Sequence, residues 1–331
     1  MKRTFALPTL TLLILCAAPA IAQQNPALHP HDEMNNWGRW GDDDERGATN
    51  FITPASIVEA GKLIQKGKVF SLAIPIERDG PIFPSRNPSH HFMVSTGTDA
   101  LIVGEGGASD VSFTDDYIYM ALQGSTQWDS LAHAFYNGKF YNGYPLDTVT
   151  VTGAKKLGID KVKDSFVGRA VLIDILRYKG GAITPGYGIT RADIEGALKA
   201  QGSEIKSGDI AVIRTGEVPR FYTMPLSERP QWVGTQTGIT KDVIPWIKES
   251  EIAAIAVDNV GVEQAPNPDG KDWNLHGNLL RDLGVFLGEI WWLEELAEDC
   301  AADGRYEFFI SAPPLNIPGA VGSVINPIAV K

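Results

Sequence analysis

An aspartate and a histidine four residues apart, Asp129 and His133, close the polar segment Gln123-Gly124-Ser125-Thr126-Gln127-Trp128-Asp129-Ser130-Leu131-Ala132-His133. If Asp129 opens a helical turn, the two side chains share a face, and a carboxylate and an imidazole can act on one ion or one water. The same pair at the same spacing also serves as a plain structural hydrogen bond. A second group lies towards the C-terminus, where His276 precedes Leu279 and Leu280, and Glu289 follows the apolar run 285–287. Both residue types ligate metals, and a helix, turn and strand between them would let Glu289 return to His276; a surface carboxylate is the plainer alternative. Trp128, beside these polar positions, offers a face for stacking on an aromatic substrate or else belongs to the core. His90 and His91 follow a proline-rich loop and read as solvent-facing.

Other chemistries lack their motifs. The cluster Gly104-Glu105-Gly106-Gly107 has no strand before it and no helix after it, so it reads as a loop and implies no nucleotide cofactor. Neither a Gly-x-Ser-x-Gly elbow nor a His-Glu-x-x-His helix occurs, which removes two common hydrolase designs.

The elements that must position these groups are legible as patterns. A strand is expected over 117–122, just before the polar segment. Thr53-Pro54 supplies an N-cap and a proline at the first helical position, predicting a helix that Gly67 stops, followed by a strand over 69–76. The runs 170–176, 210–213 and 252–257 are apolar without alternation, as strands covered on both faces are. Helices to cover them are expected over 191–200, where Thr190 and Asp193 have capping-box spacing and Gly202 closes the end, and over 242–248. A mixed α/β architecture follows. Stretches rich in proline and glycine at 77–88, 104–109 and 217–238 read as long surface loops of the kind that build substrate pockets.

Composition bounds the setting. Lys2 and Arg3, the apolar run 5–15 and Ala20-Ile21-Ala22 form a cleavable export signal, residues 1–22, and the run is too short for a bilayer span. Leu15 stands where a lipoprotein signal would want a small residue before Cys16. A periplasmic or secreted location is expected, with residues 23–36 as a flexible lead-in and 37–331 as one domain. The formal charge of −11 becomes more negative once Lys2 and Arg3 leave, which argues against a nucleic-acid partner. It also mildly favours a neutral or cationic small-molecule substrate. Of two cysteines only Cys300 survives processing, so no intrachain disulfide can form and a buried structural thiol is expected.

The chain resembles the metal-dependent cyclase family that contains bacterial kynurenine formamidases and isatin hydrolases. That family's signature is His-x-Gly-Thr-His-x-Asp-x-Pro-x-His; residues 123–133 match it at Thr126, Asp129 and His133 and depart at Gln123, Ser125, Gln127 and Leu131. Similar stretches follow in order: Trp37-Gly38-Arg39-Trp40-Gly41-Asp42-Asp43-Asp44-Glu45-Arg46-Gly47, Gly168-Arg169-Ala170-Val171-Leu172-Ile173-Asp174, Arg214-Thr215-Gly216, and residues 276–289. The resemblance implies an α/β fold with the mixed-sheet swivelling β/β/α domain of the kynurenine formamidase and cyclase type, usually oligomeric, here a homo-oligomer. It places Gln123, Gln127 and Asp129 at metal-ligand positions, His133 in the acid/base role, and His276 and Glu289 where the family holds metal or substrate. The ion so implied is divalent, manganese or zinc. A neutral amide oxygen is a poorer zinc ligand than imidazole and suits harder ions, so the two glutamines mark a variant branch with an altered site.

The expected function is hydrolysis of a small amide, formamide or lactone, with a metal activating water, His133 moving the proton and Trp128 beside the substrate. Two competing readings use the same residues: an exported binding protein or pseudoenzyme that has lost the metal, and a cyclase or dehydratase working in the same pocket.

Overall fold

Apolar runs without alternation need cover on both faces. In the computed structural model, which describes residues 34–99 and 111–331, three such runs lie side by side within a nine-stranded sheet. The strand order is Val69–Ser71, Ile328–Val330, Glu307–Ser311, Val167–Asp174, Ile210–Arg214, Ala254–Val257, Phe286–Glu289, Gln127–Asp129, Gly322–Val324. The four strands from Val167–Asp174 to Phe286–Glu289 run parallel, and antiparallel strands extend the sheet on either side. This is the mixed α/β architecture that the patterns predict. Residues 170–173, 210–213 and 254–257 are all buried. Two helices, Pro54–Gly61 and Arg191–Gln201, pack against the Val167–Asp174 strand. Each begins at a capping box, Thr53 with Ser56 and Thr190 with Asp193, and the second ends at Gly202 with a φ of 69° that suits glycine.

Several expected boundaries shift, each for a local reason. The first helix ends at Gly61 rather than Gly67, and residues 62–64 continue as turns. The strand expected over 69–76 spans only Val69–Ser71, because Leu72 turns its backbone to Pro327 and Trp292. The helix expected over 242–248 forms as Ile244–Ser250 after a 3-10 turn at Lys241–Val243. The region 217–238 is not a plain loop: Glu217–Thr223 is helical and Arg229–Gly234 is a 3-10 helix. The strand expected over 117–122 is Asp115–Tyr119, and it pairs with His90–Ser95 in a hairpin whose His91 is exposed and bonded to Asp116 at 2.6 Å. The glycine cluster at 104–107, the loop expected over 104–109, Cys16 and the export signal lie outside the described residues. Among the described residues no helix is long and apolar enough to cross a membrane. Cys300 is a buried free thiol, pushed up to about 12 by that burial.

Charged joints lock the strand ends on which the site depends. Arg214 pairs with Asp174 at 3.1 Å and with Glu294 at 2.6 Å, joining two parallel strands to the Glu294–Asp303 helix. Asp258, just past the Ala254–Val257 strand, accepts from the Thr215 amide and the Gly216 amide at 2.7 Å each. Trp128 stacks on Phe166 with ring centroids 4.6 Å apart and meets Trp291 edge-on. Gly288 lies opposite Trp128 in the sheet, and a Cβ there would come within 2.7 Å of the Trp128 ring and 2.8 Å of the Ala256 Cβ. Gly288→Ala is therefore expected to destabilise the protein by about 1–3 kcal/mol, measured by urea unfolding; an unchanged midpoint would contradict this packing.

Candidate metal centre

Residues two apart on a strand share a face, so the strand Gln127–Asp129 presents Gln127 and Asp129 on one side and Trp128 on the other. Gln127 stands opposite Glu289 on the neighbouring strand, which brings Glu289 onto the same face. The expected substrate contact of Trp128 is thereby corrected: its ring is fully buried on the far side, and its indole N–H donates to the Ala312 carbonyl at 2.8 Å. The expected helical turn at Asp129 is corrected as well, because the segment is extended there. A turn closed by the His133 amide on the Ser130 carbonyl (2.9 Å) follows the strand and returns the imidazole, leaving His133 Nε2 3.9 Å from Asp129 Oδ2.

Buried polar atoms must find partners, and the bonding here is incomplete in an informative way. Gln127 Nε2 donates to Glu289 Oε2 at 2.9 Å and to Asp129 Oδ1 at 3.3 Å, a neutral bridge between two carboxylates. Glu289 Oε1 lies 3.2 Å from His276 Nε2, and His276 Nδ1 lies 2.7 Å from Glu263 Oε1. Asp129 Oδ2 and Gln127 Oε1 are buried without any hydrogen-bond partner. Gln123 Nε2 is also unpartnered; the amide rests over Gly322, the residue opposite Asp129, where a Cβ would come within 2.4 Å of it. Gln123 thus borders the cluster without bonding to either carboxylate.

Charge follows from this packing. Burial, and then the neighbouring Glu289, hold the Asp129 carboxyl well above its usual range. Burial also opposes ionisation of Glu289, but the hydrogen bond and charge of His276 outweigh it and hold Glu289 below its usual range. For His276, burial works against the cation while Glu263 and Glu289 favour it more strongly, raising it to about 10. His133 moves the other way, down to about 4, through burial and the nearby His276 charge. One imidazole is thus a cation between two carboxylates, and the other is neutral at the edge of the cavity.

The ligand atoms of Asp129, His276 and Glu289 all lie within 4.8 Å of one another. The unpartnered oxygens are Asp129's own Oδ2 and the neighbouring Gln127 Oε1, so the donor set is rich in oxygen, with one imidazole held by a carboxylate behind it. That set fits a divalent cation. It opens on a cavity of about 280 Å³ lined by Phe83, Arg86, His133, Trp273, His276 and Glu289, among others. His276 ends the short helix Asn274–His276 and leads into a π-helix, Gly277–Leu283, an irregularity often found at functional sites. Gly261, at a φ of 95°, lets the Trp273 ring approach where a Cβ would lie 2.2 Å from it.

Sequence reasoning missed Glu263, Phe83, Arg86 and Trp273. Phe83 and Arg86 belong to the proline-rich loop expected to shape a pocket, so the loop was visible though its residues were not. Glu263 and Trp273 carried no pattern, since their roles arise only when the chain folds back on His276.

The model of the putative cyclase family matches residues 70–264. Among solved structures, one described as a novel cyclase is 56% identical and covers 92% of this chain and 99% of its own, with a TM-score of 0.87. Isatin hydrolase A from Ralstonia solanacearum is 19% identical over 85% of this chain and 98% of its own, at a TM-score of 0.57. Isatin hydrolase A from Labrenzia aggregata, bound to benzyl benzoate, is 18% identical over 79% and 93%, at 0.56. At such identities the likeness to the two hydrolases is one of fold. No curated protein matches the sequence.

Proposed function

Because the chain belongs to the putative cyclase family, we propose that it is an exported, metal-dependent hydrolase of a small amide, formamide or lactone. The observation that carries this reading is the pair of buried, unpartnered oxygens, Asp129 Oδ2 and Gln127 Oε1, beside the clustered ligand atoms of Asp129, His276 and Glu289. Leaving such acceptors unsatisfied costs about 1–3 kcal/mol each, and a cation removes that cost. Export rests on the basic, apolar and small-residue order of residues 1–22, and N-terminal sequencing of the processed protein should begin at Gln23.

Asp129, His276 and Glu289 would hold the ion, with Gln127 Oε1 free to join them. When bound, a divalent ion polarises a carbonyl and acidifies water. Glu263 fixes the proton of His276 on Nδ1 and leaves Nε2 as the ligand atom. His133, neutral near pH 7 and facing the cavity, has a nitrogen able to accept the proton of the attacking water and return it to the leaving group. Phe83 and Trp273 form apolar walls against which an organic substrate excludes water.

The test is metal content and thermal stability before and after chelation, followed by a screen of amides and lactones. Near-stoichiometric manganese or zinc, with a fall of several degrees in Tm on chelation, is the expected result. Metal uptake should also release protons: His276, raised to about 10, is protonated at pH 7 without the ion, so affinity should rise with pH below that value. Calorimetry in buffers of different ionisation enthalpy reads this directly. Absence of metal and of stabilisation by any divalent ion would leave a binding protein as the better reading.

A further inference from the structure

A second cavity, of about 400 Å³, adjoins the candidate centre and shares Arg86 with it. Its lining combines three arginines, Arg78, Arg86 and Arg229, with apolar surface from Ile82, Phe221 and Leu226. We propose that this antechamber binds the carboxylate of an amphipathic organic acid, whose apolar skeleton lies on Phe221 and Leu226 and whose reacting carbonyl reaches the inner pocket past Arg86, which lines both. The assignment of a reacting carbonyl rests on the hydrolase reading; the anion site itself does not.

Among the described residues every arginine except Arg78, Arg86, Arg229 and Arg305 is ion-paired to a carboxylate. Three of the four exceptions meet in this one cavity, in a chain whose formal charge is −11. Arg86 spends one bond, Nη1 to the Gln123 carbonyl at 2.7 Å, and its charge also acts on Asp129 and Glu289, so Arg78 and Arg229 carry the larger share of the free charge. Arg229 spends one, Nη1 to the Asp79 carbonyl at 3.2 Å, while its Nε is buried without a partner. Its guanidinium is held over Phe221, 4.7 Å from the ring centroid, and 5.7 Å from that of Tyr222. A planar fork fixed by stacking, with donors uncommitted, matches a carboxylate. Asp79 also lines the cavity, but it is exposed and its carboxylate makes no ion pair with any of the three. Pro84, Pro88 and Pro230 stiffen the walls.

This local field reverses the preference that the net charge suggests. A low-dielectric cleft lined by one sign of charge concentrates ligands of the other sign, whatever the protein carries overall. The cavity's volume is within the range of small-molecule sites, about 300–1,000 Å³.

Titration calorimetry of the full-length processed protein at low ionic strength tests this, using benzoate and its neutral counterpart benzamide as probes. Benzoate is expected to bind at least about tenfold more tightly than benzamide. Arg229→Met should remove that preference and Arg229→Lys should keep part of it. Asp129→Ala should leave it within about twofold, because that substitution disables the metal centre and not the antechamber. Arg78→Met, at an exposed position, should weaken benzoate binding and carries the test if Arg229→Met fails to fold. Equal binding of the two probes, or a preference indifferent to both arginine substitutions, overturns the proposal. So does a preference abolished by Asp129→Ala, which would locate the anion on the metal. A protein without metal that still prefers benzoate through Arg229 would retain the anion site and lose only the hydrolase reading.

Discussion

Asp129→Ala is expected to purify without its divalent ion and to hydrolyse no substrate above background, while folding with close to wild-type far-ultraviolet circular dichroism. Three facts make this the largest predicted effect. Asp129 is fully buried, its Oδ2 has no hydrogen-bond partner, and its carboxyl is held high by burial and by Glu289, so without an ion it is an unfavourable group to keep. Its removal leaves His276 and Glu289 to satisfy each other as a plain buried pair at 3.2 Å. The ion-free variant should therefore be at least as stable as chelated wild type, because the replaced carboxylate keeps only one long hydrogen bond, from Gln127 Nε2 at 3.3 Å, and leaves Oδ2 unsatisfied without a cation. Elemental analysis together with thermal unfolding reads both parts. Full metal occupancy in Asp129→Ala would exclude Asp129 from the ligand set.

His133→Ala should separate holding the ion from moving the proton. The imidazole lies 3.9 Å from Asp129 Oδ2 with a quarter of its side chain exposed, too far for a hydrogen bond to that oxygen. Metal content should stay near wild type while kcat falls by about 10²–10⁴, the span typical of a lost general acid or base. Because His133 sits low, at about 4, it is neutral and able to accept a proton throughout the neutral range; activity limited by it should fall only as pH drops towards that value. A wild-type kcat in His133→Ala would remove it from proton transfer. Loss of metal in the same variant would make it a ligand instead.

The elements that carry the site were largely legible. Unalternated apolar runs marked three central parallel strands because burial on both faces leaves no polar positions, and the Thr190/Asp193 box marked a helix start because orphaned amides need an acceptor. Residue types alone also singled out Asp129, His133, His276 and Glu289. What was misread was local conformation. A spacing of four suggested a helical turn at Asp129, yet pairing with Phe286–Glu289 on one side and Gly322–Val324 on the other holds the segment extended, and strand alternation sends Trp128 to the core.

By itself, then, the sequence determined the class of the fold, its covered strands and the residue types able to bind a divalent ion, since these depend on hydrophobic pattern and intrinsic chemistry. Only the tertiary structure decided which of those residues meet. The register Gln127 to Glu289 places two carboxylates around one amide, and a return of the chain at 263–276 sets Glu263 behind His276. The loop at 77–88 then lays Arg86 across two cavities that come together from distant parts of the chain. Such contacts join distant residues, Gln127 and Glu289 being 162 positions apart, and no periodicity within a segment encodes which distant segment it will face.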